Sequence, residues 1–304
     1  MKIVDNRAIV LKLRNPKQVT EVIPKSKEVA PNTVAVSWGV DEAKALRNMN
    51  IKAPSPIEGR YEWTGKYEPF DHQKKTAGFL TMNRRAFCFN EQGTGKTASA
   101  IWAADYLMKQ GKVNRVLVIC PLSIMDSAWR ADLFTFAMHR TVDVAHGAKA
   151  KRRKIVENGA EFVIINYDGV EVIQDVIAAG GFDCIIIDEA THYKNVQTKR
   201  WKTLNRLLAP DTWLWLMTGT PAAQSPLDAY GLAKLVNPKA VPRFFGSFRD
   251  QVMVRITNFK WAPKESATDR VFNVLQPAIR YTKDECLDLP PMVYTKRMVE
   301  LTAQ

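Results

Sequence analysis

The sequence predicts an α/β protein built on a parallel sheet with helices on both faces. Three observations carry that expectation. Short apolar runs recur at "RRAFCFN" (Arg84 to Asn90), "RVLVIC" (Arg115 to Cys120), "FVIINY" (Phe162 to Tyr167), "CIIIDEA" (Cys184 to Ala190) and "WLWLMTG" (Trp213 to Gly219). They are uniformly apolar rather than alternating, as strands covered on both faces are, and helix-like segments separate them. A glycine-rich loop, "NEQGTGKT" (Asn90 to Thr97), lies between the first run and "TASAIWAADYLMKQG", which has helical spacing and ends at the natural stop Gly111. A strand, a glycine loop and a helix in that order are the setting a phosphate cradle requires.

Taken in order, residues 1–60 carry "RAIVLKL", "NTVAVSW" and the helix-like "VDEAKALRNMN", then the proline-punctuated "IKAPSPIEGRYEW". They read as a small α+β accessory unit with its linker. Residues 61–225 hold the apolar strands. From 226 to 304 the chain reads as mainly helical, opening with "SPLDAYGLAKLVNP", where Ser225 caps and Pro226 begins a helix.

Composition narrows the class. With 304 residues, 46% hydrophobic and 25% charged, the chain can bury one large core or two modest ones. No run of eighteen uncharged apolar residues occurs, and "MKIVDNRAIVLKLRN" breaks its apolar stretches with charge, so neither a membrane span nor a signal peptide is expected, and the expected location is cytoplasmic. The 4 cysteines, Cys88, Cys120, Cys184 and Cys286, lack C-x-x-C spacing and read as reduced structural thiols rather than metal ligands. The net charge of +13, from 44 Lys+Arg against 31 Asp+Glu, suits a polyanionic partner. Its densest run, "KAKRRK" at Lys149 to Lys154, fits equally a solvated helix face.

The loop departs from the usual G-x-x-x-x-G-K-[ST] by having Asn90 first, yet its working parts are present. Gly93 and Gly95 let backbone N–H groups close on phosphates, with Gln92 and Thr94 between and beside them. Lys96 supplies a point charge for the outer phosphates, and Thr97 a hydroxyl for Mg2+ at the helix N-terminus. A partner is expected at the end of a neighbouring buried strand, and "CIIIDEA" provides Asp188 to hold Mg2+ and Glu189 to orient or deprotonate a water. "TGTP" places Thr218 and Thr220 at the same sheet edge; taken alone it is an ordinary turn.

As a set these residues resemble the superfamily-two helicases, and within them the Swi/Snf-type double-stranded DNA translocases, closest to compact phage and bacterial members. That family typically writes its loop D-E-x-G-x-G-K-T, so "NEQGTGKT" is a variant of it. "CPLSIMDSAW" (Cys120 to Trp129) is similar to C-P-L-S-x-x-x-x-W, "DEATHYKN" (Asp188 to Asn195) to D-E-A-H-x-x-K-N, and "IRYTKDECLDLPP" (Ile279 to Pro291) to the basic segment and L-P-P that close the first lobe. "IINYD" (Ile164 to Asp168) resembles a further DNA-contacting motif. The resemblance, from about Phe70 to Pro291, implies a RecA-like phosphate-loop NTPase lobe that uses ATP and Mg2+ on double-stranded DNA.

Carried over residue by residue, it implies that Gln73 reads the adenine edge and that Ser123, Asn166, Tyr167 and Lys194 meet the DNA phosphate backbone. Ser123, Asn166 and Tyr167 fit caps or packing positions as well. His72, His139 and His146 read as structural. The histidine of D-E-A-H is Thr191 here, so the usual link from the nucleotide site to "TGTP" is expected to run through a hydroxyl or be weakened. The resemblance also implies a second RecA-like lobe, in cis or in trans, carrying a Q-x-x-G-R-x-x-R-like arginine motif that these residues lack. The expected function is therefore the first half of a DNA-dependent ATPase that moves on duplex DNA. A strand-separating helicase or restriction motor is the enzyme alternative, and a nucleotide-dependent DNA clamp without turnover the alternative of another class.

Overall fold

The computed structural model of the protein describes residues 1–222, 224–257 and 260–286. Its strands are β1 (Lys2–Val4), β2 (Ala8–Lys12), β3 (Ser26–Ala30), β4 (Thr33–Ser37), β5 (Arg85–Cys88), β6 (Val116–Cys120), β7 (Val142–Val144), β8 (Phe162–Asn166), β9 (Cys184–Asp188), β10 (Trp213–Met217), β11 (Met253–Arg255), β12 (Trp261–Pro263) and β13 (Ala278–Ile279). The helices are α1 (Lys17–Thr20), α2 (Val40–Asn48), α3 (Ile57–Arg60), α4 (Asp71–Met82), α5 (Lys96–Lys109), α6 (Ala131–Phe136), α7 (Lys149–Glu157), α8 (Tyr167–Val172), α9 (Gln174–Ala179), α10 (Lys199–Leu207), α11 (Asp228–Val236), α12 (Phe245–Val252), α13 (Ala267–Val274) and α14 (Lys283–Cys286). No helix among the described residues is long and apolar enough to cross a membrane.

The expected RecA-like parallel sheet is present, seven strands in the order β13-β5-β10-β9-β6-β8-β7, every pair parallel. Uniform apolarity has the cause expected of it, because successive side chains of one strand enter two different cores. Val116 and Val118 of β6 join Ile101 and Trp102 of α5 on one face. Leu117 and Ile119 join the other, with Leu204 of α10 and Leu232 of α11.

The strand order also makes the site. From β5 the chain passes through α5 to β6, leaving a gap that β9 and β10 later fill, and ligand crevices form at the carboxyl ends of strands where the order reverses. The register aligns the last residues of three neighbours, Cys88, Met217 and Asp188, so the phosphate loop, "TGTP" and Asp188-Glu189 leave the sheet side by side.

Residues 1–60 form an antiparallel sheet, order β1-β2-β4-β3, with α2 beside it. Its Val34 and Val36 belong to the same apolar cluster as Leu80 of α4 and Trp102 of α5. Polar bonds pin the contact: Ser55 and Thr81 hydroxyls lie 2.7 Å apart in a buried position, and Lys112 pairs with Asp41 at 2.6 Å. Lys44 sits 4.5 Å above the Trp213 ring, and burial lowers its pKa to about 8. Beyond residue 226, α11, α12 and α13 accompany the β11-β12 hairpin, and β13 extends the main sheet past β5. The L-P-P stretch at residues 289–291 lies outside the described residues.

One buried charge gathers segments of the main domain around α5. Asp105 of α5 is 0% exposed and accepts from Tyr61 Oη at 2.7 Å, Arg140 Nε at 2.6 Å and His139 Nε2 at 2.8 Å, with Lys109 Nζ at 3.0 Å. Burial alone would raise its pKa, but the four donors outweigh it and hold the carboxyl below the ordinary range.

Candidate functional site

The phosphate loop is held in shape by its neighbours. Asn90 is fully buried and its Nδ2 donates to Thr76 Oγ1 of α4 at 2.9 Å, while the Glu91 N–H donates to the Tyr281 carbonyl at 3.0 Å. Thr94 Oγ1 donates to the Glu91 carbonyl at 2.8 Å, and the Thr94 carbonyl accepts from His72 Nε2 at 2.8 Å and Gln73 Nε2 at 3.3 Å. Gly93 and Gly95 take φ of 84° and 77°, the left-handed region where a side chain is disfavoured, and a Cβ on Gly95 would lie 2.0 Å from Gln73 Nε2. Lys96 opens α5, and its Nζ donates to the Glu91 carbonyl at 3.3 Å.

Two strands away, Asp188 ends β9 with both carboxylate oxygens engaged. Oδ1 accepts from the Glu189 N–H and Oδ2 from the indole N–H of Trp129, each at 3.0 Å. Burial raises the Asp188 pKa against these two donors and the charge of Lys96. Glu189 adopts φ 50°, ψ 59°, a left-handed conformation uncommon for a residue with a side chain and costing of order 1 kcal/mol or more. Its Oε1 accepts from Thr191 Oγ1 at 2.8 Å and Thr218 Oγ1 at 2.9 Å, and Thr218 Oγ1 in turn accepts from the Thr220 N–H at 3.3 Å. The residue standing where the family has histidine thus bonds the same carboxylate oxygen as "TGTP" does.

A cleft of about 640 Å³ joins these groups, lined by Gln73, Gln92, Lys96, Thr97, Asp188 and Glu189. Its size is that of a small-ligand site. No arginine lines it among the described residues. Asp132 and Phe136 of α6 complete a wall that sequence reasoning missed. Trp129 was visible only as a motif letter, since a bond across 59 residues has no local signature.

The four residues expected to meet DNA are placed unevenly. Ser123 is exposed on the turn Leu122–Ile124. Lys194 Nζ is committed to Gln224 Oε1 at 2.6 Å and Asp228 Oδ2 at 3.2 Å. Asn166 is 9% exposed and its Oδ1 accepts from Arg152 Nη1 at 2.7 Å. Tyr167 is 6% exposed, its hydroxyl donates to the Asp188 carbonyl at 2.7 Å, and its ring lies 4.4 Å from that of His192. A phosphate contact through that hydroxyl would first have to break this bond. On α7, Lys149, Lys151 and Lys154 are exposed, whereas Arg153 is paired with Asp175 at 2.6 Å.

Comparison with known proteins agrees with this geometry. The profile of the SNF2-related domain matches residues 72–304. A Xenopus laevis SWI/SNF-related matrix-associated actin-dependent regulator of chromatin subfamily A-like protein 1 is 30% identical over 192 residues, covering 59% of this chain and 18% of that protein. An uncharacterized ATP-dependent helicase of Bacillus subtilis is 24% identical over 176 residues, covering 57% of this chain and 30% of its own length. The Sulfolobus solfataricus SWI2/SNF2 ATPase core in complex with dsDNA shares the fold, with a TM-score of 0.63 at 23% identity over 73% of this chain and 46% of that one. The chain therefore spans less than half the length of each of these three.

Proposed function

The chain belongs to the SNF2-related domain family, and from that premise we propose that it is the ATP-binding first lobe of a DNA-dependent ATPase that translocates on double-stranded DNA. A second RecA-like lobe, in cis or in trans, would complete the catalytic site. The observation that carries the reading is the convergence of Lys96, Thr97, Asp188 and Glu189 on one cleft at the carboxyl ends of β5 and β9, the two strands that flank β10. Net charge of +13 and the DNA-bound state of the Sulfolobus relative support the partner.

Each residue then has a task. Backbone N–H groups around Gly93 and Gly95 bind the phosphates at the start of α5, and Lys96 turns from the Glu91 carbonyl to the outer phosphates. Thr97 and Asp188 fit Mg2+, because a hydroxyl and a carboxylate whose hydrogen-bond partners are uncharged N–H groups share the cleft with the phosphate loop. Bound there, the ion would neutralise charge on the phosphate oxygens. Glu189 orients a water and takes its proton as the water oxygen bonds to the outer phosphorus and the bridge to ADP breaks. Thr191 and Thr218 fix the carboxylate's aim and link it to "TGTP". Charge building up on the transferred group calls for an arginine, worth roughly 10³ to 10⁵ in rate in related enzymes, which the second lobe would supply.

The test compares ATP turnover by these 304 residues with that of the same chain joined to a second lobe, each with duplex and single-stranded DNA. The reading expects near-background turnover from the first and a duplex-stimulated gain of orders of magnitude in the second, abolished by Lys96→Ala. Equal stimulation by single strands would favour the strand-separating reading. Nucleotide-dependent DNA binding with no turnover in the two-lobe protein would favour the clamp.

A further inference from the structure

The indole of Trp129 is fully buried, and its N–H points at Asp188 Oδ2 from 3.0 Å. Four other tryptophans, Trp38, Trp102, Trp201 and Trp215, give their N–H to backbone carbonyls, the routine way a buried indole is satisfied. Trp129 gives its own to an ionisable side chain that lines the cleft. We propose that Trp129 is the positioning residue for the Mg2+-binding carboxylate of Asp188, an assignment that rests on the nucleotide-site reading above.

The local backbone explains how the ring gets there. Residues Met125–Arg130 form a π-helical turn, a rare i→i+5 winding frequent at functional sites, and it directs Met125 and Trp129 inward while Asp126 and Arg130 stay exposed. The chemistry of the donor is equally specific. An indole N–H donates one hydrogen bond, accepts none and carries no charge. It holds one carboxylate oxygen as the Glu189 N–H holds the other, so the carboxyl plane is defined from both sides and its negative charge is left for a cation. A lysine or arginine in that place would satisfy the same oxygen and cancel the charge. Groups that orient a metal's ligands in this way typically carry a 10–100-fold share of metal affinity.

The experiment titrates ADP calorimetrically, with and without Mg2+, into the unmodified chain and Trp129→Phe, which keeps an aromatic ring and deletes the donor. The expected result is an about tenfold smaller Mg2+-dependent gain in ADP affinity, with metal-free ADP affinity unchanged. Trp129→Phe added to Asp188→Asn should cost little more than Asp188→Asn alone, since the indole acts through that carboxylate. A Mg2+ gain that survives Trp129→Phe intact overturns the proposal. If Trp129→Phe does not fold, 3-benzothienylalanine at position 129, which keeps the bicyclic shape with sulfur in place of N–H, decides by the same two outcomes. Absence of any ADP binding by the unmodified chain would overturn the nucleotide-site reading and this assignment together, whereas a Mg2+ gain indifferent to the indole overturns this assignment alone.

Discussion

Asp105 and Asp188 are two shielded carboxylates, and the regions around them differ in kind. Asp105 sits among Tyr61, Lys109, His139 and Arg140, so the protein neutralises its charge from within and its pKa is held down. Asp188 is met by two uncharged N–H groups and its pKa is pushed up by burial. Burying an ion is costly unless it is paired. Where the fold meets that cost with its own cations the carboxylate is structural; where it leaves the charge unmet, something from outside is expected to meet it.

The contrast breaks most visibly at the structural site. Asp105→Asn leaves Arg140 and Lys109 without their shared anion and should cost about 3 kcal/mol in urea unfolding. Because the folded pKa is depressed, Asp105's contribution is complete above the ordinary 3.8 and is lost as pH falls through the lower folded value, so the variant's deficit should shrink in acid. Asp188→Asn should do the reverse, raising stability by about 1–2 kcal/mol at neutral pH while abolishing the Mg2+ contribution to nucleotide binding. With the folded pKa raised, the ionised form is penalised, so that gain should fade as pH is lowered toward 3.8. Stability losses from both variants would erase the distinction.

Smaller changes sharpen it. Thr218→Val removes one of the two hydroxyls on Glu189 Oε1 and should cost about 1 kcal/mol by the same unfolding assay. A loss several times larger would mean that the left-handed turn at Glu189 depends on that bond. Lys44→Met tests a cation rather than an anion. Burial lowers its pKa to about 8, only partly countered by Asp41, so the charge is disfavoured below that pH and the penalty fades between 8 and the unfolded value of 10.5. The variant should gain less than about 1 kcal/mol at pH 7, and the gain should vanish in alkali.

What was legible in the sequence follows the range of the interactions involved. β5, β6, β8, β9 and β10 were readable because both faces of each are buried, which confines polar residues to the ends of the run, at Arg85, Asn166 and Asp188. The loop was readable because glycine is demanded where φ is positive, at Gly93 and Gly95. The strands β1 and β3 were not, since on edge positions most of their side chains stay in water and no clean apolar pattern marks them. The role of Asp105 has no local signature, because three of its four partners come from 34 to 44 residues away. Tyr167 and Lys194 are expected from the resemblance to meet DNA, and their polar ends are engaged by the Asp188 carbonyl and the Asp228 carboxylate, choices made by tertiary packing.

Asn90 stands where the common phosphate loop has its first glycine. It is absent from the positions with positive φ, so its backbone makes no demand for glycine, and its amide ties the loop to Thr76 on the neighbouring helix. In the language of pattern recognition, the letters that carry information are those at 93, 95 and 96. A search string that insists on glycine at 90 spends its selectivity on a position whose geometry leaves the letter open, and it would pass over this loop while accepting others with no tether at all.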